Sequence, residues 1–255
     1  MSTTKEQAIM NWSGGKDSAL CLYQLLQNNQ YNVLCLLTSV SAQYQRISMH
    51  GVRETLLDKQ ANSLGIPLVK MQLPEMPTME VYDKMMAKTL TDLKNKGATT
   101  SIFGDIFLED LRAYREKKLA EVNLKGVFPL WKRPTRELIR EFIGLGFKTV
   151  LTCVNEKYLS KSFAGRLIDH DFLKDLPKDV DPCGENGEFH TFVYDGPLFT
   201  EPIKFEKGEI VYRKYLSTKE NNSSYPCDST HEKENSPFDN GFWYCDLLDN
   251  DNKKK

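Results

Sequence analysis

The stretch Ala8-Ile9-Met10-Asn11-Trp12-Ser13-Gly14-Gly15-Lys16-Asp17-Ser18-Ala19-Leu20-Cys21-Leu22 changes character abruptly at Ser13. The apolar run over residues 7–12 reads as a strand, and residues 18–28 carry Leu20, Leu22, Leu25 and Leu26 at helical spacing. Gly14 and Gly15, between them, have no side chains, so backbone N–H groups there can converge on an anion. The positive end of the following helix faces the same point. Lys16 adds a full positive charge, and Ser13 and Ser18 add hydroxyl donors. Asp17 is the odd member, because a carboxylate beside phosphate groups is repelled unless a divalent cation lies between them. Magnesium, with Asp17 as a ligand, is implied. The spacing is not that of the Walker loop, which places four residues between its first glycine and Gly-Lys-Ser/Thr. A glycine-rich turn capped by Ser or Asp ahead of a helix is the purely structural alternative.

Outward from this loop, strand and helix patterns alternate. Residues 31–40 read as a strand and 51–64 as a helix stopped by Gly65. A strand over 66–73 and a helix over 78–96, ending at Gly97, come next. Residues 101–106 are expected as a strand, 109–122 as a helix and 127–131 as another strand. This order predicts an α/β domain over residues 1–125, with a parallel sheet and helices on both faces. A second, smaller α/β domain is expected over residues 126–216. It holds a helix over 134–146 with Pro134 in its first turn, a strand over 148–154, a helix near 165–173 and a strand over 189–194. Residues 203–205 and 210–215 flank Glu206-Lys207-Gly208-Glu209 as a predicted hairpin. Residues 217–255 are rich in Asn, Ser, Asp, Glu and Lys and read as a poorly ordered, flexible tail. One aromatic island in it, residues 238–248, either folds back over an apolar patch or docks a partner.

Composition bounds the function. The 34 basic and 35 acidic residues nearly cancel, which is not the footprint of a nucleic-acid-binding protein. The first seven residues are polar, and the longest apolar run, residues 33–37, is far too short to span a bilayer. A cytoplasmic protein without a membrane partner is expected. The cysteines, Cys21, Cys35, Cys153, Cys183, Cys227 and Cys245, include no Cys-x-x-Cys pair, so they read as free thiols.

Three further groups stand where ligands bind an open parallel sheet, outside the carboxyl ends of its strands. Gly104 lets a nucleotide approach closely and Asp105 can orient ribose or a metal ion, with Glu109 and Arg112 on the helix that follows. The alternative is a helix cap and a surface ion pair. His50 and Arg53 precede a helix, where a guanidinium can grip a carboxylate or phosphate in two places, or simply sit at the surface. Cys183, Glu185, Glu188 and His190 cluster around Gly184 and Gly187. That concentration suits a metal site, an acid/base pair or a pocket for a cationic substrate, and equally a solvated loop followed by a core strand.

Ser13-Gly14-Gly15-Lys16-Asp17-Ser18 after an N-terminal strand resembles the pyrophosphate loop of the adenine-nucleotide α-hydrolase superfamily, a Rossmann-like nucleotide-binding fold. Further stretches are similar to the diphthine–ammonia ligase family. They are His50-Gly51-Val52-Arg53, Gly104-Asp105-Ile106, Phe128-Pro129-Leu130-Trp131 and the run from Cys183 through Asp195-Gly196-Pro197-Leu198-Phe199. The resemblance covers roughly residues 8–216 and departs from the family pattern at His190, where a Glu is usual. It implies that ATP is bound by residues 13–18 with Gly104 and Asp105, that Lys16, Asp17, Glu188 and His190 are catalytic, and that His50, Arg53, Glu109, Arg112, Cys183 and Glu185 contact the acceptor. It further implies adenylation of a carboxylate, attack by ammonia taken from solution, and the diphthine-bearing translation elongation factor as protein substrate. The same ATP chemistry on another carboxylate or metabolite, and a nucleotide-sensing module without turnover, are the rival expectations. Transfer-RNA thiolation is disfavoured, since neither cysteine pairs nor a basic extension is seen.

Overall fold

The computed structural model describes residues 5–47, 50–214 and 241–249. Its first sheet grows from the loop quoted above. Strand β1 (Glu6–Asn11) pairs in parallel with β2 (Tyr31–Ser41) on one side and β5 (Thr100–Ile102) on the other. β4 (Leu68–Leu73) extends the sheet beyond β2, and β6 (Lys125–Val127) extends it beyond β5, both in parallel. Short β3 (Arg46–Ile47) runs antiparallel to the end of β2. Consecutive β1 and β2 lie to one side and β5 and β6 to the other, so the strand order reverses between β1 and β5. The crevice at the carboxyl ends of these two strands is the topological switch point.

Both faces of this sheet are covered, as the alternation of its residues requires. Ala8, Met10 and Leu36 point into one core with Leu20, Leu22 and Leu25 of helix α1 (Lys16–Asn28) and Leu56 and Leu57 of α2 (Glu54–Leu64). Ile9, Cys35 and Leu37 point into a second core with Leu90 and Leu93 of α3 (Met79–Asn95) and Leu119 of α4 (Glu109–Glu121).

The second sheet is antiparallel, in the order β8 (Phe189–Asp195), β7 (Lys148–Asn155), β10 (Gly241–Leu248), β9 (Glu206–Lys214). Helix α5 (Thr135–Gly144) precedes it, and α6 (His170–Asp175) lies between β7 and β8. Val150, Leu151, Phe192 and Val193 join the α1/α2 core, so the two sheets share one apolar interior. Among the described residues no helix is long and apolar enough to cross a membrane.

The structure corrects several expectations. The helix expected near 165–173 starts only at His170, as α6, with a 3-10 turn at Lys161–Phe163 ahead of it. Gly165 has a positive φ and its hydrogens face Cys245 Sγ, where a Cβ would stand at 2.9 Å. The strand expected at 101–106 ends at Ile102, and the one expected at 127–131 ends at Val127. Trp131 N–H donates to the Phe128 carbonyl at 3.1 Å, so Phe128-Pro129-Leu130-Trp131 is a turn. No hairpin forms at 206–209, because Gly208 keeps an ordinary φ and β9 runs straight through. Its partner is β10, which lies within the stretch expected to be a flexible tail and is instead an inner strand of the sheet. Residues 217–240 and 250–255 of that stretch lie outside the described residues.

Candidate active site at the sheet switch point

The Ser13–Ser18 loop is wedged between α2 and the free edge of β8. Gly14 takes φ +75°, and a Cβ there would stand 2.8 Å from Gln60 Oε1 and 2.9 Å from Leu57 Cδ2, so glycine is required twice over. The Gly14 carbonyl accepts from Val193 N–H at 2.9 Å and from Gln60 Nε2 at 3.0 Å. Gln60, fully buried, also donates to the Val193 carbonyl at 2.6 Å and accepts from Trp12 Nε1 at 2.9 Å. Lys16 N–H, in the first turn of α1, donates to Thr191 Oγ1 at 3.1 Å. Ser18 Oγ donates to the Gly15 carbonyl at 2.9 Å, and Ser13 Oγ accepts from Gly15 N–H at 3.3 Å; both hydroxyls brace the loop. Gly104 is needed for a reason other than the expected nucleotide contact: a Cβ there would lie 2.9 Å from the Asp17 carbonyl carbon and oxygen. The end of β5 therefore abuts the first turn of α1.

Charge is concentrated at this junction. Lys16 is buried, and its Nζ lies 2.7 Å from Asp17 Oδ2 and 5.7 Å from the centre of the Phe189 ring. Burial opposes its charge, yet Asp17, Cys183 and Glu185 together hold its pKa above the usual lysine value. Burial and the nearby Asp181 carboxylate raise Asp17, against the pull of Lys16. Burial raises Asp105 as well, with Asp17 adding to it and Arg115 opposing. Arg115 Nε stands 3.2 Å from Asp105 Oδ2, but that buried oxygen receives no hydrogen bond. Glu185 is pushed up to about 8 by burial and by Asp17 and Asp105. Asp17 and Glu185 thus crowd Lys16, and Asp105 adds a third carboxyl group beside them. Among the described residues no three His, Cys, Asp or Glu side chains are set close enough to hold a metal ion by themselves. A cation here would complete its shell with ligand oxygens, and the crowded carboxylates and the orphaned Asp105 Oδ2 fit that demand.

His50 and His190 stack beside the loop, with ring centres 4.4 Å apart. Burial lowers His50 to about 4 and His190 well below its usual value, the Lys16 charge adding to both. Both imidazoles are therefore neutral near pH 7. His50 Nδ1 is buried and unpartnered.

Four expected residues are employed elsewhere. Arg53 grips a carboxylate, but it is Asp246 of β10, at 2.7 and 3.2 Å. Arg112 lies 4.8 Å from the Phe128 ring centre and 4.6 Å from that of Trp131, and pairs with Glu116. Glu109 is exposed and pairs with Lys132 at 2.8 Å. Glu188 is buried and accepts from Asp181 N–H at 3.0 Å, Asn186 N–H at 2.8 Å and Asn186 Nδ2 at 3.0 Å, so its carboxylate folds the 181–188 loop rather than facing a substrate. Asp181 tightens the same loop by accepting from Cys183 N–H at 2.8 Å and Thr135 Oγ1 at 2.7 Å. Cys183 is buried, and burial pushes its thiol up out of the reactive range.

Gln60, Thr191, Arg115, Asp181 and Asp246 were not anticipated. Gln60 had a signal: it is a lone polar residue on the apolar stripe Leu56, Leu57, Ala61, Leu64 of an amphipathic helix.

The Diphthamide synthase N-terminal domain matches residues 6–126 and the Diphthamide synthase C-terminal domain matches residues 134–222. The human protein named diphthine–ammonia ligase is 27% identical over 225 residues, covering 78% of this chain and 82% of its own. The mouse protein of that name is 27% identical over 229 residues with the same coverage. The Schizosaccharomyces pombe one is 26% identical over 155 residues, 56% of this chain and 25% of its own. A solved chain described as a predicted subunit of tRNA methyltransferase from Methanocaldococcus jannaschii overlaps 74% of this chain and 96% of its own at 17% identity. Its TM-score of 0.40 is too low to carry an argument. With both of its domains matched across most of the sequence, the chain belongs to the diphthamide synthase family.

Proposed function

We propose that the protein is an ATP-dependent ligase that adenylates a carboxylate and transfers the acyl group to ammonia, giving an amide, AMP and pyrophosphate. The diphthine residue of the translation elongation factor is the acceptor, by analogy with the relatives named diphthine–ammonia ligase. The observation that carries this reading is the phosphate loop at the switch point, with buried Lys16 beside the carboxyl groups of Asp17 and Glu185.

The chemistry follows from those charges. An acceptor carboxylate oxygen attacks the α-phosphorus, and the bond to the β-phosphate's bridging oxygen breaks. The loop amides, the N-terminus of α1 and Lys16 stabilise the negative charge gathering on the departing pyrophosphate. Magnesium, when bound, would supply further neutralisation of phosphate charge; Asp17 and Asp105 are the residues that would hold it, with ligand oxygens completing its shell. Ammonia then attacks the acyl carbon, the acyl–oxygen bond to AMP breaks, and the nitrogen passes a proton to the departing AMP phosphate. The neutral His50–His190 pair, beside the Lys16 charge, favours ammonia over ammonium there, which leaves the nitrogen lone pair available. In this reading residues 1–125 hold ATP and residues 126–216 face the acceptor.

The test mixes the protein with magnesium–ATP, ammonium chloride and diphthine-bearing elongation factor. AMP should appear in step with amide, and only when acceptor and ammonium are both present. ADP as product, or AMP made without acceptor at the same rate, would defeat the proposal.

A further inference from the structure

We propose that Asp246, on β10, is the positioning residue that sets His50 against His190 on the acceptor side of the site. The family match ends at residue 222, so β10 lies beyond it. The strand nevertheless reaches the site through a short chain of contacts. Arg46 and Arg53 stand at the two stems of the turn that carries His50, and their backbones form an antiparallel bridge. Asp246 Oδ1 accepts from Arg46 Nη1 at 2.8 Å, and its two oxygens accept from Arg53 at 3.2 and 2.7 Å. Arg46 Nη1 also donates to the Gly51 carbonyl at 2.6 Å, so one guanidinium ties the carboxylate to the residue next to His50. The turn is closed by Ile47 N–H to the Val52 carbonyl at 2.8 Å and Gly51 N–H to the Ile47 carbonyl at 3.1 Å.

β10 also supplies the floor. Gly51 lies on the Tyr244 ring so closely that a Cβ would stand 2.8 Å from Tyr244 Cδ1. Tyr244 is the register partner of Cys153 on β7, and Cys153 is the register partner of His190 on β8. One row across three strands therefore carries Tyr244 beneath Gly51 at one end and His190 against His50 at the other. Lys59, on α2, pairs with Asp249 and fastens the same edge a second time. Without the Asp246 charge, Arg46 and Arg53 would lose the carboxylate that joins them at the base of the turn. The turn would then relax, and His50 would leave the stack. Calling this the acceptor side rests on the proposed function; the placement of His50 by Asp246 does not.

The full chain is the material for the test. In Asp246→Asn, which keeps shape and loses charge, His50 should become carbethoxylated by diethylpyrocarbonate about tenfold faster or more, read by peptide mass spectrometry. ATP affinity measured by calorimetry should stay unchanged, and kcat/KM for ammonium should fall by up to about a hundredfold. Asp246→Glu should recover part of the protection. If Asp246→Asn does not fold, Arg53→Gln, which leaves the Arg46–Asp246 pair in place, must show faster His50 modification. Unchanged His50 protection in folded Asp246→Asn, or in Arg53→Gln if that is the variant that folds, overturns the inference. The modification readout needs no turnover, so a failed ligase assay defeats the proposed function and leaves this result to stand or fall by itself.

Discussion

Replacing Gln60 by Leu should uncouple the phosphate loop from the second sheet at a large cost in stability. Gln60 is fully buried and makes three hydrogen bonds, from Trp12 Nε1 and to the carbonyls of Gly14 and Val193. Leucine fills nearly the same space but serves none of them. The Gly14 carbonyl keeps Val193 N–H as a donor, so two groups are orphaned: the Trp12 indole N–H and the Val193 carbonyl. At about 1–3 kcal/mol for each buried unsatisfied group, the loss is about 4 kcal/mol. That is a large share of the ~5–15 kcal/mol by which a protein is stable. Urea unfolding should show it as a midpoint lowered by about 1–2 M. Gln60→Glu adds a check of sign. Its carboxylate can accept from Trp12 but faces two carbonyl oxygens, so the folded state favours the protonated acid and its pKa rises above the unfolded value. The variant should then lose stability relative to wild type as pH rises above ~4.3. Coincident midpoints for Gln60→Leu and wild type, or a Gln60→Glu deficit that does not change with pH, would refute the claim that this amide joins the loop to β8.

Lys16→Ala should cost about 3 kcal/mol of transition-state stabilisation, about a hundredfold in AMP release, and Asp17→Asn should raise the magnesium concentration needed for half-maximal rate; an AMP assay against magnesium checks both. Asp246 is held at about 2 by hydrogen bonds from Arg53 and Arg46, which outweigh the opposing effect of burial. Its depressed value contributes on the order of 1 kcal/mol once solvent screening is allowed for, present above pH ~4 and lost as pH falls through about 2. Acid unfolding should therefore bring wild type and Asp246→Asn together at low pH and separate them near neutrality. Ending the chain before Gly241 should remove the strand between β7 and β9, bare two sheet edges and make the product aggregate, seen by light scattering. A soluble truncated chain with native circular dichroism would contradict the strand assignment.

The first sheet was legible because its signals are local: apolar runs, helical periods and the glycines that end them. The phosphate loop was legible for the same reason, since six adjacent residues carry its geometry. What escaped the sequence depends on partners far along the chain. Nothing near Arg53 announces Asp246, and nothing near Arg112 says that its guanidinium lies between Phe128 and Trp131. Glu188 looked like an acid facing a substrate, yet the amides two and seven residues before it take up its oxygens. β10 stood out as the aromatic island at residues 238–248, but nothing local to it says that it pairs with β7 and β9 as an inner strand. The neutrality of the His50–His190 pair is a product of burial, which composition does not reveal.

The central claim is that an acceptor carboxylate attacks the α-phosphorus of ATP. Its most direct test is a heavy-oxygen label placed in the diphthine carboxylate, followed through the complete reaction by mass spectrometry of the products. One labelled oxygen is expected in AMP, carried over when the acyl–oxygen bond breaks, with unlabelled pyrophosphate. Label in pyrophosphate or inorganic phosphate, or amide formed with unlabelled AMP, would contradict it.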